Sequence, residues 1–163
     1  MLLHIERWVA RVEAWVIAAL MLTLSVLVFA QVVNRYILTY STPWLEELTR
    51  YLMVWMVLIG AAYAVRNRQH LKVDIVEALL PSARARRNYE RFLAALGLGF
   101  SILLVILAYS VVSRTYQYGQ TSSALRLPMW LANGSFLVAG LLMTFHYLLD
   151  LLGRGPDSAE GEA

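Results

Sequence analysis

Cysteine is absent from this chain of 163 residues. That excludes disulfide exchange, thiolate metal sites and iron–sulfur ligation by cysteine. Charge is also scarce: Asp, Glu, Lys and Arg make up 15% of the residues, where a soluble domain carries about 25%. Histidine occurs three times, and only His146 falls within a long apolar stretch. His4 is near the start, and His70 lies beyond Arg66 and Arg68. A four-helix membrane anchor that binds haem commonly uses histidines on facing helices. One such residue does not meet that need, and no cofactor is expected. His146 reads instead as a satisfied interfacial histidine, with Asp150 one turn on as the simplest partner.

Apolar residues fill the space that charge leaves. They form 60% of the chain and gather in four stretches, roughly Ala14–Val33, Trp44–Val65, Leu93–Val112 and Met129–Leu149. Each is about the 20 residues that a bilayer-spanning helix needs. The expected fold is therefore an all-α integral membrane protein with four transmembrane helices. One membrane domain covers residues 1–153, and the tail 154–163 lacks large apolar residues and is expected to be disordered. No room remains for a soluble catalytic domain, and no enzyme activity is expected.

The net charge is +3, but its distribution is more telling. Arg7 and Arg11 precede the first span, and Arg66, Arg68, Lys72, Arg84, Arg86, Arg87 and Arg91 lie between the second and third. Arg154 follows the fourth, whereas only Arg35, Arg50, Arg114 and Arg126 fall on the other side. The positive-inside rule then puts both termini and the middle loop in the cytoplasm. On this reading the basic loop is a topology signal and not a nucleic-acid site. The apolar run of the first span exceeds the usual signal-peptide length of about 7–15 residues, so it is expected to be a retained anchor.

Pro43 suits the first turn of the second helix, with Ser41 or Thr42 as its cap. Glu46 and Glu47 then sit near the positive end of the helix dipole. In the middle loop, Asp74-x-x-Glu77 resembles a capping box. Leu71, Ile75, Val76, Leu79 and Leu80 share one broad face, so residues 71–80 are expected to form a short amphipathic helix on the membrane surface, among the lipids. Pro81 stops it. The polar, turn-forming run YQYGQTSSALRLP joins the third and fourth spans. No inverted repeat of the kind that marks a self-sufficient transporter is present.

Charge at the mouth of a transmembrane helix is costly unless something satisfies it. Glu46, Glu47 and Arg50 are spaced i,i+4 and i,i+3. Their face continues through Val54, Val57, Ala61 and Ala64, with Gly60 beside it, and small residues on one stripe mark a helix-packing seam. Leu52, Trp55, Ile59 and Tyr63 lie opposite and are expected to face lipid. The cluster reads either as a proton or ion site or as a salt-bridged lock on helix packing, with Arg35 of the first span as a further member. The second reading is favoured because Arg50 can neutralise one carboxylate in its own helix. Gln31, Asn34 and Arg35 are expected to cap the first span and snorkel. Glu13 is placed like the cation-binding carboxylate of small multidrug antiporters, but flanking Arg11 and Trp15 favour an interfacial charge. Ser101 can bond back to its own helix, and Gly97 and Gly99 are too close together for a GxxxG seam.

The run Ser41–Pro81 and its flanks resemble the small membrane subunit of tripartite ATP-independent periplasmic (TRAP) transporters. The residues that carry the likeness are Gln31 to Tyr36, Pro43-Trp44-Leu45-Glu46-Glu47, Arg50, Gly60-Ala61-Ala62, Arg66, His70, Val73-Asp74 and Leu80-Pro81. A second match is Gly119 to Leu125, followed by Leu127-Pro128-Met129-Trp130. Arg126 departs from the pattern, where a small or turn residue such as Gly is expected. The resemblance implies a large multi-span membrane subunit that carries the substrate and sodium sites. It also implies a periplasmic substrate-binding protein that delivers the substrate, often an organic acid, and uptake driven by an ion gradient. The small subunit would then be a scaffold in the bacterial inner membrane. A haem- or quinone-associated anchor of a redox complex is the alternative from a different class.

Overall fold

The structure, a computed structural model, describes residues 2–40, 42–66 and 83–152. Four long helices account for nearly all of them: α1 (Leu2–Tyr36), α2 (Pro43–Arg66), α3 (Ala83–Gln117) and α4 (Met129–Leu152). All four contain stretches long and apolar enough to cross a membrane: Trp8–Tyr36, Pro43–Arg66, Arg91–Gln117 and Met129–Leu151. No strand occurs among the described residues; Thr121 and Pro128 form an isolated antiparallel bridge. The expected interfacial helix over 71–80, with His70 and Asp74, lies outside the described residues, as does the tail 153–163.

The chain closes each helix with local signals. After α1, the N–H groups of Ile37 and Leu38 donate to the Val33 carbonyl, and that of Tyr40 donates to Asn34. Thr39 takes a left-handed conformation (φ 49°) to turn the chain. Thr42 then caps α2, its carbonyl accepting the amides of Leu45 and Glu46 at 3.0 and 3.3 Å. Pro43 at the first helical position needs no donor partner there. At the end of α3, Gly119 (φ 57°) is the left-handed residue, a conformation that glycine enters without steric penalty.

α4 is the centre of the bundle. It packs on α3 and on α2, while α1 lies mainly against α2. The core cluster, Ala62 and Val65 of α2 with Met143 and Tyr147 of α4, shows this order, with Leu98 and Leu104 of α3 packed on it. Small residues let α3 and α4 approach. A Cβ on Gly97 would sit 2.3 Å from the Tyr147 ring, and one on Gly140 would sit 2.9 Å from a Val105 methyl. Ser101 and Ser135 are fully buried, and each hydroxyl donates back into its own helix, to Leu98 and Ala132. Gly99, by contrast, has nothing near the place a Cβ would take, so Gly97 serves the seam without Gly99.

The seam on α2 is rotated from the one its spacing suggests. Ile59, expected toward lipid, is buried together with Ala62 and Val65. Val57, expected on the seam, is 53% exposed, and Ala61, Ala64 and Gly60 are half-buried at its margin. The bulky Tyr147 and Met143 of α4 select the partner face, and sequence spacing carries no information on them. The outer faces of α1 and α3 are broadly apolar and exposed, as in Leu22, Phe29, Phe100 and Ile106, which suits helices bathed by lipid.

Candidate functional site

At one end of the bundle the α3–α4 loop meets Glu47 of α2. The loop from α3 to α4 folds back on itself as a narrow turn. The Met129 amide donates to the Gln120 carbonyl at 2.9 Å, and the Ser122 amide donates to Leu127 at 2.8 Å. The Ser122 side chain is buried and accepts the Leu127 amide at 3.2 Å. This turn aims the successive amides of Ala124 and Leu125 at α2. Both donate to Oε2 of Glu47 at 2.9 Å. The other carboxylate oxygen, Oε1, accepts the Tyr51 hydroxyl at 2.6 Å, and the Tyr51 oxygen lies 3.4 Å from the Met129 sulfur. Consecutive backbone N–H groups form a concave donor set suited to an anion, and here the chain's own carboxylate fills it. Arg126 holds the turn in a left-handed conformation (φ 53°). That backbone geometry accounts for the expectation of a Gly at this position.

The salt-bridged cluster expected of Glu46, Glu47 and Arg50 is not what the structure holds. Among the described residues no ion pair within 4.0 Å joins Arg50 to either carboxylate, and both Arg50 and Glu46 are exposed. Glu47 is turned toward the loop by the two loop amides, with Tyr51 of its own helix holding the other oxygen. Glu46, about 100° further back around the helix, instead lines a cavity of about 690 Å³ between the ends of α1 and α2, together with Arg35, Tyr36, Tyr40 and Val32.

Gln31 does not cap α1. Its amide Nε2 donates to the Leu45 carbonyl at 3.2 Å and to the Thr49 hydroxyl, tying α1 to α2. Asn133 Nδ2 donates to the Thr115 hydroxyl at 3.3 Å and ties α4 to α3. The loop end is ringed by exposed or half-exposed aromatics, Tyr36, Tyr40, Trp44, Tyr116, Tyr118 and Trp130, the belt expected at a membrane–water boundary.

A second polar centre lies at the opposite, terminal end, and spacing did not reveal it. Glu13 and His146 are buried, at 4% and 3% exposure. Glu13 Oε1 and His146 Nε2 are 3.1 Å apart. Glu13 is thus buried against α4, and the Nε2 of His146 faces Glu13, not the Asp150 that neighbours it in sequence. The available signal was the depth of the two residues. Each lies about one and a half turns inside the terminal end of its apolar span, Trp8–Tyr36 for Glu13 and Met129–Leu151 for His146, so antiparallel packing brings them level. Among the described residues, no group of three or more His, Cys, Asp and Glu side chains is arranged to hold a metal ion.

Comparison with known proteins agrees with this architecture. The family model for the DctQ component of tripartite ATP-independent periplasmic transporters matches residues 24–155. A C4-dicarboxylate TRAP transporter small permease protein from Vibrio cholerae is 37% identical over 63% of this chain and 47% of its own length. Its counterpart from Rhodobacter capsulatus is 31% identical over 85% of this chain and 74% of its own length. An isethionate TRAP transporter permease protein, DctMQ, from Oleidesulfovibrio alaskensis is 26% identical over 89% of this chain but only 24% of its own. The chain thus spans about half and about three quarters of these two small permease relatives. The matched family is a transport component and not an enzyme. With four membrane-length helices and a family match across most of its length, the chain belongs to the DctQ component of the tripartite ATP-independent periplasmic transporters.

Proposed function

We propose that this chain is the scaffold subunit of an ion-gradient-driven, sodium-coupled uptake transporter for organic acids. It assembles with a large multi-span membrane subunit and works transiently with a periplasmic substrate-binding protein. The observation that carries the scaffold reading is the engagement of Glu47. Both of its oxygens are taken by the chain's own Tyr51 and loop amides, so it serves packing and not ion passage. The relative in which the matching segment is a quarter of the whole chain supports the pairing with a larger membrane portion. The names of the relatives, which specify C4-dicarboxylate and isethionate transport, support an organic acid as cargo.

The half-buried Gly60, Ala61 and Ala64 remain at the margin of the α2 seam and suit close approach by a partner helix. Arg35, Glu46 and Arg50 stay exposed at the loop end, where the binding protein would arrive beside Thr115–Pro128. His70 and Asp74 belong to the segment expected to extend the scaffold along the inner surface. We place the chain in the inner membrane with both termini in the cytoplasm, on the arginine asymmetry.

Two experiments test this reading. Co-expression with its large subunit should give a complex that survives purification; recovery of the two as separate proteins contradicts it. Single cysteines at Gln120 and Ala85 test the orientation, since the chain has none of its own. A membrane-impermeant thiol reagent should label the first in intact cells, and labelling of the second would reverse the topology.

A further inference from the structure

We propose that Glu13 and His146 form a proton-binding site between α1 and α4, holding one added proton between carboxylate and imidazole at the terminal end of the bundle. The two groups are more than nine-tenths buried, and Glu13 Oε1 faces His146 Nε2 at 3.1 Å. Two lone pairs at that distance repel, so a hydrogen lies between them.

Counted from a neutral imidazole and an ionised carboxylate, the pair carries a net charge of −1. A net charge in a site of this burial is strongly disfavoured unless it is paired. One added proton brings the pair to zero in either of two forms. In one, an imidazolium donates Nε2–H to the carboxylate. In the other, a carboxylic acid donates O–H to Nε2. The two differ only by the passage of that hydrogen between Nε2 and Oε1, and both leave a hydrogen on Nδ1. A second added proton would restore a net charge, of +1.

The remaining polar atoms agree with a site that binds something small. Among the described residues, neither Glu13 Oε2 nor His146 Nδ1 has a hydrogen-bond partner, although both are buried. A carboxylate committed only to helix packing would have its second oxygen satisfied, as Glu47 does at the other end. Among the described residues, the charged side chains toward this end of the four helices include Arg11 on α1, Arg66 on the last turn of α2, Arg91 on α3 and Asp150 on α4. Lying about one and a half turns from the terminal ends of the two apolar spans, the pair is near enough to the bilayer surface to exchange its proton with water there. Because α1 lies mainly against α2, this hydrogen bond also fixes how α1 sits on α4.

The test uses the full chain with ¹⁵N-labelled histidine in lipid nanodiscs at neutral pH. The His146 ring signals are assigned by their loss in His146→Gln. The proposal requires one of two signatures: an imidazolium whose ring becomes neutral in Glu13→Gln, or an infrared carboxylic-acid band that Glu13→Gln removes. A neutral His146 ring together with an ionised Glu13 overturns it. Stability gives an independent reading. Glu13→Leu and His146→Leu should each lower the melting midpoint by leaving one ionisable group alone, and the double variant should recover most of the loss. If the two losses simply add, the groups are not coupled and the site does not exist.

Discussion

Glu47 Oε2 accepts the backbone N–H of Leu125 at 2.9 Å, from a residue 78 positions further along the chain. With the matching bond from Ala124, a single side chain on α2 fixes the position of the loop that leads into α4. This contact changes what the paired carboxylates at the start of α2 mean. Glu46 and Glu47 are adjacent in sequence yet meet different neighbours, Glu47 the α3–α4 loop and Glu46 the cavity beside the end of α1.

Glu47→Ala should therefore free the loop while leaving the four helices intact. The amides of Ala124 and Leu125 should exchange with solvent faster than in the parent chain, with little change in helical circular dichroism. Glu47→Gln keeps one oxygen acceptor and should give intermediate exchange. Hydrogen exchange read by mass spectrometry over residues 118–128 checks both. Unchanged exchange in Glu47→Ala would show that the loop holds itself.

The α3–α4 seam should be intolerant of a single methyl group at two positions. Gly97→Ala drives a Cβ into the buried Tyr147 ring, and Gly140→Ala drives one into Val105. Overpacking of this kind costs about 1–3 kcal/mol, partly offset by the better helix propensity of alanine, roughly 1 kcal/mol. Gly60→Ala and Gly99→Ala meet no neighbouring atom and should hold or raise stability. Unfolding midpoints of the four variants in one detergent give the comparison directly.

Arg126 occupies a left-handed backbone position. For a residue other than glycine that geometry costs about 1–2 kcal/mol, less what glycine loses through its freer unfolded chain, roughly 0.4–1 kcal/mol. Arg126→Gly should thus leave stability level or raise it by up to ~1.6 kcal/mol. Arg126→Val, β-branched and poorly suited to positive φ, should lower it. Thermal unfolding of the pair measures the sign of each change.

Much of the architecture was legible in the sequence. The four apolar stretches, the Thr42–Pro43 helix start and the Ser101 back-bond all depend on neighbours within a turn or two, where spacing is informative. The family likeness was legible too, including the odd residue at Arg126, whose backbone geometry supplies the reason. Contacts between distant elements were not. Glu47 has Arg50 one turn away, yet two of its three donors are amides of the loop between α3 and α4, and no periodicity predicts them. The α2 seam was misjudged at Ile59 and Val57 because small residues mark where a helix can approach, whereas Met143 and Tyr147 decide which face is taken. The Glu13–His146 pair was hidden for the same reason: each residue has a nearer charged neighbour in sequence that is not the partner its side chain meets.

The central claim is that this chain supports transport as a scaffold and does not itself carry the ion. Sodium-driven uptake of an organic acid in proteoliposomes, with and without this chain and with Glu47→Gln, tests that claim most directly. We expect uptake to disappear when the chain is omitted from a mixture of large subunit and binding protein. With assembled Glu47→Gln complex, the number of sodium ions taken up per substrate should be unchanged. Full uptake without the chain, or an altered ion stoichiometry in the variant, would contradict the account.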